Sequence, residues 1–275
     1  MKKLLLTALT FTMGLAAVAQ APKADVLDII FNDDGTVVDA SAMANPVRVL
    51  GNPDIKKSPM YGMNVLCNEE TQWGKESFHT VRIPYNDQLI GAIENGMTME
   101  VMARPCFEDG KFNQTWCNVF GCYQGGGFGI IINGGKWDFE CVIGGGYKDA
   151  TFGPVVDGEW IHLVGVWDKE TGEYKLYANG ELASTVDGVS GDLSLPDAKG
   201  KERFVGVGVD FEPNPVSTCG YSFQGDIAIA RIYDNPLTAE QVKTLYQEVD
   251  VKKTGEVEHV DRVFPTLRTD EDGTV

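Results

Sequence analysis

Histidine is scarce in this chain, and cysteine never recurs as Cys-x-x-Cys. The 275 residues hold three histidines and six cysteines, at 67, 106, 117, 122, 141 and 219. Such spacing excludes the usual zinc sites. Basic residues are also in short supply, 23 Lys and Arg against 40 Asp and Glu, for a net charge of −17. Nucleic acid and anionic membrane surfaces are therefore not expected as partners. The chain has no Ser/His/Asp order, phosphate loop or dinucleotide fingerprint. Internal repeats and long low-complexity tracts are missing as well. The one long apolar run, at the start, is too short and wrongly flanked to span a bilayer, so no membrane insertion is expected.

That first run reads as an export signal. Lys2 and Lys3 supply the positive region, residues 4 to 16 the apolar one, and Ala17-Val18-Ala19 a small-residue cleavage site. The chain then divides into a signal peptide (1–19), one large domain (20–250) and an acidic tail (251–275). No cysteine stands at the cleavage point, so a lipid anchor is not supported, and the expected location is periplasmic, cell-surface or secreted. Without Lys2 and Lys3 the balance becomes 21 basic against 40 acidic residues, or −19. In an exported chain six cysteines permit up to three bridges. The pair expected is Cys106 with Cys117, because they bracket a polar loop between two antiparallel strands; buried free thiols are the alternative.

Strand patterns fill the domain. Residues 160–186, WIHLVGVWDKETGEYKLYANGELASTV, fall into three runs of strand length separated by Lys169-Glu170-Thr171-Gly172 and Asn179-Gly180. The second link has the residues of a type I′ hairpin turn, so a three-stranded antiparallel meander is expected. In its first strand Trp160, His162, Val164 and Val166 alternate with Ile161, Leu163, Gly165 and Trp167, apolar on both sides. Such a strand is covered on both faces or lines a ligand groove. Further strands are expected over 26–31, 36–39, 47–50, 60–67, 78–83, 97–104, 116–123, 128–133, 136–143, 203–209 and 223–233, with a helical turn or two in 86–95. Thr238 with Gln241 forms a capping-box pattern that opens one C-terminal helix, seated by Val242, Leu245, Tyr246 and Val249.

Three motifs carry a resemblance. Trp160-x-His162, Trp167-Asp168 and Tyr177-x-Asn179-Gly180 are followed by Phe223-Gln224-Gly225-Asp226-Ile227, Arg231-Ile232-Tyr233 and Pro236-Leu237-Thr238-Ala239-Glu240-Gln241-Val242, and preceded by Gly96-Met97-Thr98-Met99-Glu100-Val101 with Arg104-Pro105. In this order they resemble the laminin-G-like, concanavalin A-like lectin/glucanase jelly-roll family. The resemblance implies an all-β fold, an antiparallel two-sheet β-sandwich with a short C-terminal helix. It implies a non-catalytic module that binds a polysaccharide or other glycan, with protein adhesion as a further possibility. Structural calcium is common among relatives of this fold. Yet this chain reads Ile227-Ala228-Ile229 where the family usually has Ile-Asp-Glu, and Asp34, Asp39 and Asp226 lack the spacing of a calcium loop. No metal and no cofactor are assigned.

Sugar binding needs aromatic rings against pyranose faces and amides or carboxylates for the hydroxyls. Residues 112–149 have that composition, broken by Gly125-Gly126-Gly127 and Gly144-Gly145-Gly146. Trp116, Tyr123 and Tyr147, near expected loops, are the ring candidates, with Gln124 and Asp149 as polar partners. Trp137, Phe139, Cys141 and Ile143 alternate on one strand face and read as core. A hydrolase or lyase would need paired acids. Asp138 and Glu140 would project from one strand face about 7 Å apart at the backbone. Rotation could then bring their carboxyls to the roughly 5 to 5.5 Å of a retaining pair. The alternative motif Glu248-Val249-Asp250 fails, because Lys252 and Lys253 stand where a second Glu is needed. His162, with apolar neighbours two residues away on either side, reads as a core or sheet-face histidine rather than a base.

Overall fold

Period-two alternation builds nearly all of the molecule. The computed structural model describes residues 20–50, 53–68, 80–107, 116–123, 125–211 and 219–254. Its strands are β1 (Leu27–Phe31), β2 (Val37–Asp39), β3 (Arg48–Leu50), β4 (Asp54–Lys57), β5 (Asn64–Cys67) and β6 (Thr80–Pro84), followed by helix α1 (Asp87–Ile93). Then come β7 (Gly96–Pro105), β8 (Trp116–Tyr123), β9 (Gly127–Asn133), β10 (Lys136–Ile143), β11 (Gly146–Phe152), β12 (Ile161–Asp168), β13 (Glu173–Ala178) and β14 (Glu181–Val186). The chain closes with β15 (Phe204–Val207), β16 (Asp210–Phe211), β17 (Cys219–Gly220), β18 (Gly225–Tyr233) and helix α2 (Ala239–Asp250).

These strands form two antiparallel sheets. The nine-stranded sheet runs β14-β13-β12-β7-β18-β1-β2, with β5 on β18 and β4 on β5. The seven-stranded sheet runs β11-β10-β9-β8-β15-β6-β3, and β16-β17 is a separate ribbon. One continuous core lies between the sheets, with Leu163 and Trp167 from one meeting Trp137, Phe139, Phe120 and Phe128 from the other. The fold is the expected two-sheet β-sandwich with a short C-terminal helix.

The meander folds as its turns dictate. Asn179 and Gly180 both take positive φ, 50° and 80°, the type I′ geometry. Strand β12 is covered on both faces, as its double apolar pattern requires. Val164 and Val166, opposite the core, pack with Leu237, Val242 and Leu245 beneath α2. Thr238 and Gln241 cap that helix reciprocally, Gln241 N donating to Thr238 Oγ1 at 3.3 Å and Thr238 N to Gln241 Oε1 at 2.9 Å. Burial of Val242, Leu245 and Val249 at about 1.5–3 kcal/mol each fastens it. Past α2, Thr254 N reaches Met60 O at 2.7 Å, so the first residues of the expected tail dock on the domain.

Two expectations need correction. The Cys106–Cys117 bridge is not made: Cys117 is a free thiol buried in the core. Its strand β8 and the strand β7 preceding Cys106 belong to different sheets, so the loop between them is a crossover and does not bring its ends side by side. Second, 146–152 is a strand. Gly144 and Gly145 make a hairpin turn at φ 61° and 77°, and β11 then pairs with β10 along its whole length.

Candidate functional site

The inner side of β10 fixes what its outer side presents. Phe139 points into the core and stacks on Tyr174 at 4.6 Å, while Tyr174 Oη donates to Phe139 O at 3.0 Å. The Phe139 ring lies against Gly165 of β12, where a Cβ would come within 2.3 Å of it. Trp137, Cys141 and Ile143 join it in the core, as expected. Alternation therefore turns Asp138 and Glu140 to the outer face of the seven-stranded sheet, both on one rigid strand.

Strand β8 reaches the same face by a bulge. Trp116 and Tyr123 are seven residues apart, a separation that places side chains on opposite faces of a regular strand. Here the pairing with β9 shifts between Asn118 and Phe120, and Val119 and Phe120 both enter the core. The extra residue flips the alternation, so Trp116, Asn118, Gly121 and Tyr123 share the outer face. A straight strand would hold the two residues about 23 Å apart at the backbone, yet their rings lean together and stack at 5.5 Å.

Register assembles the rest. Across the sheet, Asn118, Ile131, Asp138 and Thr151 form one row, and Gly121, Gly129, Glu140 and Asp149 the next. Tyr147 stands opposite Val142 and meets Tyr123 at 5.9 Å, while Tyr221 packs edge-on against Trp116 at 5.1 Å. The structure thus brings together Trp116, Tyr123, Tyr147, Asp138, Glu140 and Asp149. Tyr147 is 59% exposed, Trp116 half-buried and Tyr123 buried. Gln124 lies outside the described residues, as do 1–19, His79, His259 and the tail from 255.

The floor between the rings is under-supplied with donors. Asp138 is 3% exposed and Glu140 6%. Burial, then the charge of Asp149, pushes Asp138 up to about 7 against the pull of Asn133 and Lys136. Burial and the charge and hydrogen bond of Asp149 push Glu140 up to about 8. Buried Asp138 Oδ1, Asn118 Oδ1 and Tyr123 Oη have no hydrogen-bond partner. Such atoms cost about 1–3 kcal/mol each unless something fills them.

Sequence reasoning overlooked the residues that hold this floor. The segment at β16 crosses over β8: Asn118 Nδ2 donates to Val209 O at 2.8 Å, Tyr123 N donates to Asp210 Oδ1 at 2.9 Å, and Asn118 N reaches Tyr221 O. Nothing local in 209–221 announces that role. Strand β11 was also missed, although a signal for it is present: Tyr147, Asp149 and Thr151 alternate after a Gly-Gly turn.

The other candidates have structural partners. His162 Nε2 lies 2.9 Å from Glu100 Oε1, both buried on the outer face of the nine-stranded sheet. Tyr233 Oη donates to Glu100 Oε2 at 2.5 Å and Arg231 Nη1 to the same oxygen at 3.4 Å. Burial alone would raise the Glu100 pKa; His162, Arg231 and Tyr233 outweigh it and hold it at about 2. Asp226 accepts from buried Arg104 Nε at 3.0 Å. Asp39 accepts from the backbone of Asp28, Ser41 and Asn45, and Asp34 from Thr36. These three aspartates each close a separate piece of structure. A groove of about 480 Å³ beside α1, lined by Asp87, Glu94, Lys201 and Arg203 among others, contains none of the expected site residues. Among the described residues no helix is long and apolar enough to cross a membrane.

A model of the concanavalin A-like lectin/glucanases superfamily matches residues 81–243, more than half of the chain. Mouse (Mus musculus) pentraxin-related protein PTX3 is 32% identical over 110 residues, 37% of this chain and 27% of that protein. Among solved structures, the binding domain of botulinum neurotoxin DC in complex with SialylT has a TM-score of 0.58 at 14% identity, covering 82% of this chain and 52% of that one. The binding domain of Paraclostridial mosquitocidal protein 1 has a TM-score of 0.61 at 12% identity, with the same coverage of 82% and 52%. The chain therefore spans about half of these solved chains and 27% of the curated relative. At such identities the solved structures speak to the fold.

Proposed function

The chain belongs to the concanavalin A-like lectin/glucanases superfamily, and we propose that it is an exported, non-catalytic carbohydrate-binding module whose glycan lies on the outer face of β8–β11. The observation that carries this is the set of unfilled polar atoms, Asp138 Oδ1, Asn118 Oδ1 and Tyr123 Oη, beside the exposed ring of Tyr147. A pyranose stacked on Tyr147 and the accessible edge of Trp116 would bring hydroxyl donors to those acceptors, with Asp149 at the rim. The neurotoxin domain of similar fold, solved with SialylT, supports a glycan on such a scaffold. Export follows cleavage after Ala19, and the module comprises 20–250 with the acidic tail 251–275. Gln124 is retained from the sequence as a proposed polar contact to the glycan.

Affinity electrophoresis of residues 20–275 through gels containing plant, host and microbial polysaccharides tests this. Retardation by one glycan class is expected. A folded sample that no polysaccharide retards would turn the search to protein partners, for which capture should resist excess free sugar.

One observation favours a second reading. Glu140, held near 8, carries the proton a general acid needs, with Asp138 beside it on the same strand. Release of reducing ends from the retarding glycan, abolished by Glu140→Gln or Asp138→Asn, would establish a hydrolase. Unchanged glycan after long incubation would remove that reading.

A further inference from the structure

Two buried acceptors on this face, Asn118 Oδ1 and Asp138 Oδ1, flank Ile131 and have no donor. Asn118 spends its Nδ2 on the carbonyls of Val209, at 2.8 Å, and Gly121, at 3.3 Å. Its Oδ1 is left over Gly129, where a Cβ would approach to 3.1 Å, and takes no hydrogen bond. Gly129 and Gly121 stand side by side in the neighbouring row. Asp138 Oδ1, buried and also without a donor, stands in the same cross-strand row as Asn118. Glu140 and Asp149 occupy the next row and share a hydrogen bond in which one carboxyl must keep its proton. Ionised, the pair would repel.

Charge on this face is one-sided. Its acids are Asp138, Glu140 and Asp149, and among the described face residues of β8–β11 the only cation is Lys136, at the end of β10. Arg82 lies in the row of Gly206 and Gly121, but it is four strands from Glu140, about 19 Å away. There its guanidinium stacks over Phe204 at 4.7 Å, beyond the segment that crosses β8. A carboxylated or sulfated sugar would meet like charge here, with no guanidinium among the described residues of β8–β11 to receive it.

The complement of such a floor is a group with several N–H donors, no acceptor and a positive charge. A primary ammonium has that chemistry. It also gains by lying against tyrosine or tryptophan faces, which Trp116, Tyr123 and Tyr147 supply on the same surface. Resting on the glycan-binding reading above, we propose that this face selects glycans carrying free-amino hexosamine units, the sugar ring on Tyr147 and Trp116 and its ammonium seated among Asp138, Glu140 and Asn118. N-acetylated counterparts replace the charged donor with a neutral amide and leave the acids unpaired.

The test is calorimetric titration of the mature protein with three oligosaccharides of equal length, built of glucosamine, N-acetylglucosamine and galacturonate. Glucosamine oligomers should bind at least about ten-fold more tightly than the acetylated ones. Galacturonate should bind weakest. Asp138→Asn combined with Glu140→Gln should erase the preference, lowering glucosamine affinity by at least about ten-fold. Because the whole chain is acidic, Tyr147→Ala, which keeps its charge, is the control. Loss of glucosamine binding in Tyr147→Ala places it at this face; binding that survives there with its preference intact would mark bulk attraction to a polycation and overturn the inference. Equal affinities, or a preference for the acetylated or uronate oligomer, would overturn the inference but leave the glycan-binding reading standing. Binding of none of the three would overturn the inference; if the polysaccharide gels also retard nothing, the glycan-binding reading falls with it.

Discussion

Two carboxylate clusters sit on the outer faces of the two sheets, and they are finished differently. On the nine-stranded sheet Glu100 has both oxygens occupied, by His162, Tyr233 and Arg231, and α2 with its loops covers the face. On the seven-stranded sheet Asp138 and Glu140 are buried to a similar degree, yet Asp138 Oδ1 and nearby Asn118 Oδ1 accept nothing, and a tyrosine stands exposed beside them. The first arrangement moves a pKa down to about 2; the second moves two up, to about 7 and 8. Partnered acids hold a fold together. Unpartnered ones, retained beside accessible rings, are a cost that a ligand can offset.

The sharpest way to break this contrast is by amide substitution. Glu100→Gln should destabilise by about 3 kcal/mol in urea unfolding, since it removes the buried charge that His162 and Tyr233 face and leaves Arg231 only its pair with Asp28. Glu140→Gln should cost little near pH 5, where the fold holds this acid protonated, and should be more stable than the parent by pH 8. Equal losses would make the two clusters the same kind of object.

The two faces also titrate with opposite sign. The folded pKa of Glu140, about 8, lies above its ordinary 4.5, so its stabilising contribution is full below 4.5 and is lost as pH rises through 8. Asp138, raised from 3.8 to about 7, adds loss in the same direction. Glu100 is depressed from 4.5 to about 2, so its contribution is present above 4.5 and disappears as pH falls through 2. Urea midpoints from pH 5 to 9 should therefore decline in the parent and decline less steeply in Glu140→Gln, where Asp138 still titrates. Asp149, Lys136 and Asn133 are the polar neighbours that set this window.

Smaller changes sharpen the comparison. Gly129→Ala would place a Cβ 3.1 Å from Asn118 Oδ1, pushing the open acceptor aside. It should cost at most about 1 kcal/mol in stability and still abolish glycan retardation. Tyr147→Ala should shift stability by less than about 0.5 kcal/mol, its ring being largely in water, while removing binding.

Much of the fold was legible because it rests on local chemistry. Asn179-Gly180 dictates a hairpin turn, Thr238 with Gln241 dictates a cap, and the double apolar pattern of 160–167 dictates a strand covered twice. The site was legible as a composition but not as a geometry. Trp116 and Tyr123 share a face only because Val119 is a bulge, and that register belongs to the β8–β9 pair rather than to either strand. The Cys106–Cys117 expectation went wrong for a related reason. Nothing in a polar loop of that length tells whether it turns within one sheet or crosses to the other, and here it crosses.

The central claim is that the ligand face is the outer side of β8–β11, with the other outer face serving structure. Affinity electrophoresis of three proteins tests it most directly: the parent, Tyr147→Ala, and Tyr246→Ala, which removes the ring of α2 that lies 5.9 Å from His162. Retardation that survives in Tyr246→Ala and vanishes in Tyr147→Ala is the expected result. Retardation that survives in Tyr147→Ala and vanishes in a folded Tyr246→Ala would move the ligand to the other sheet and contradict the assignment.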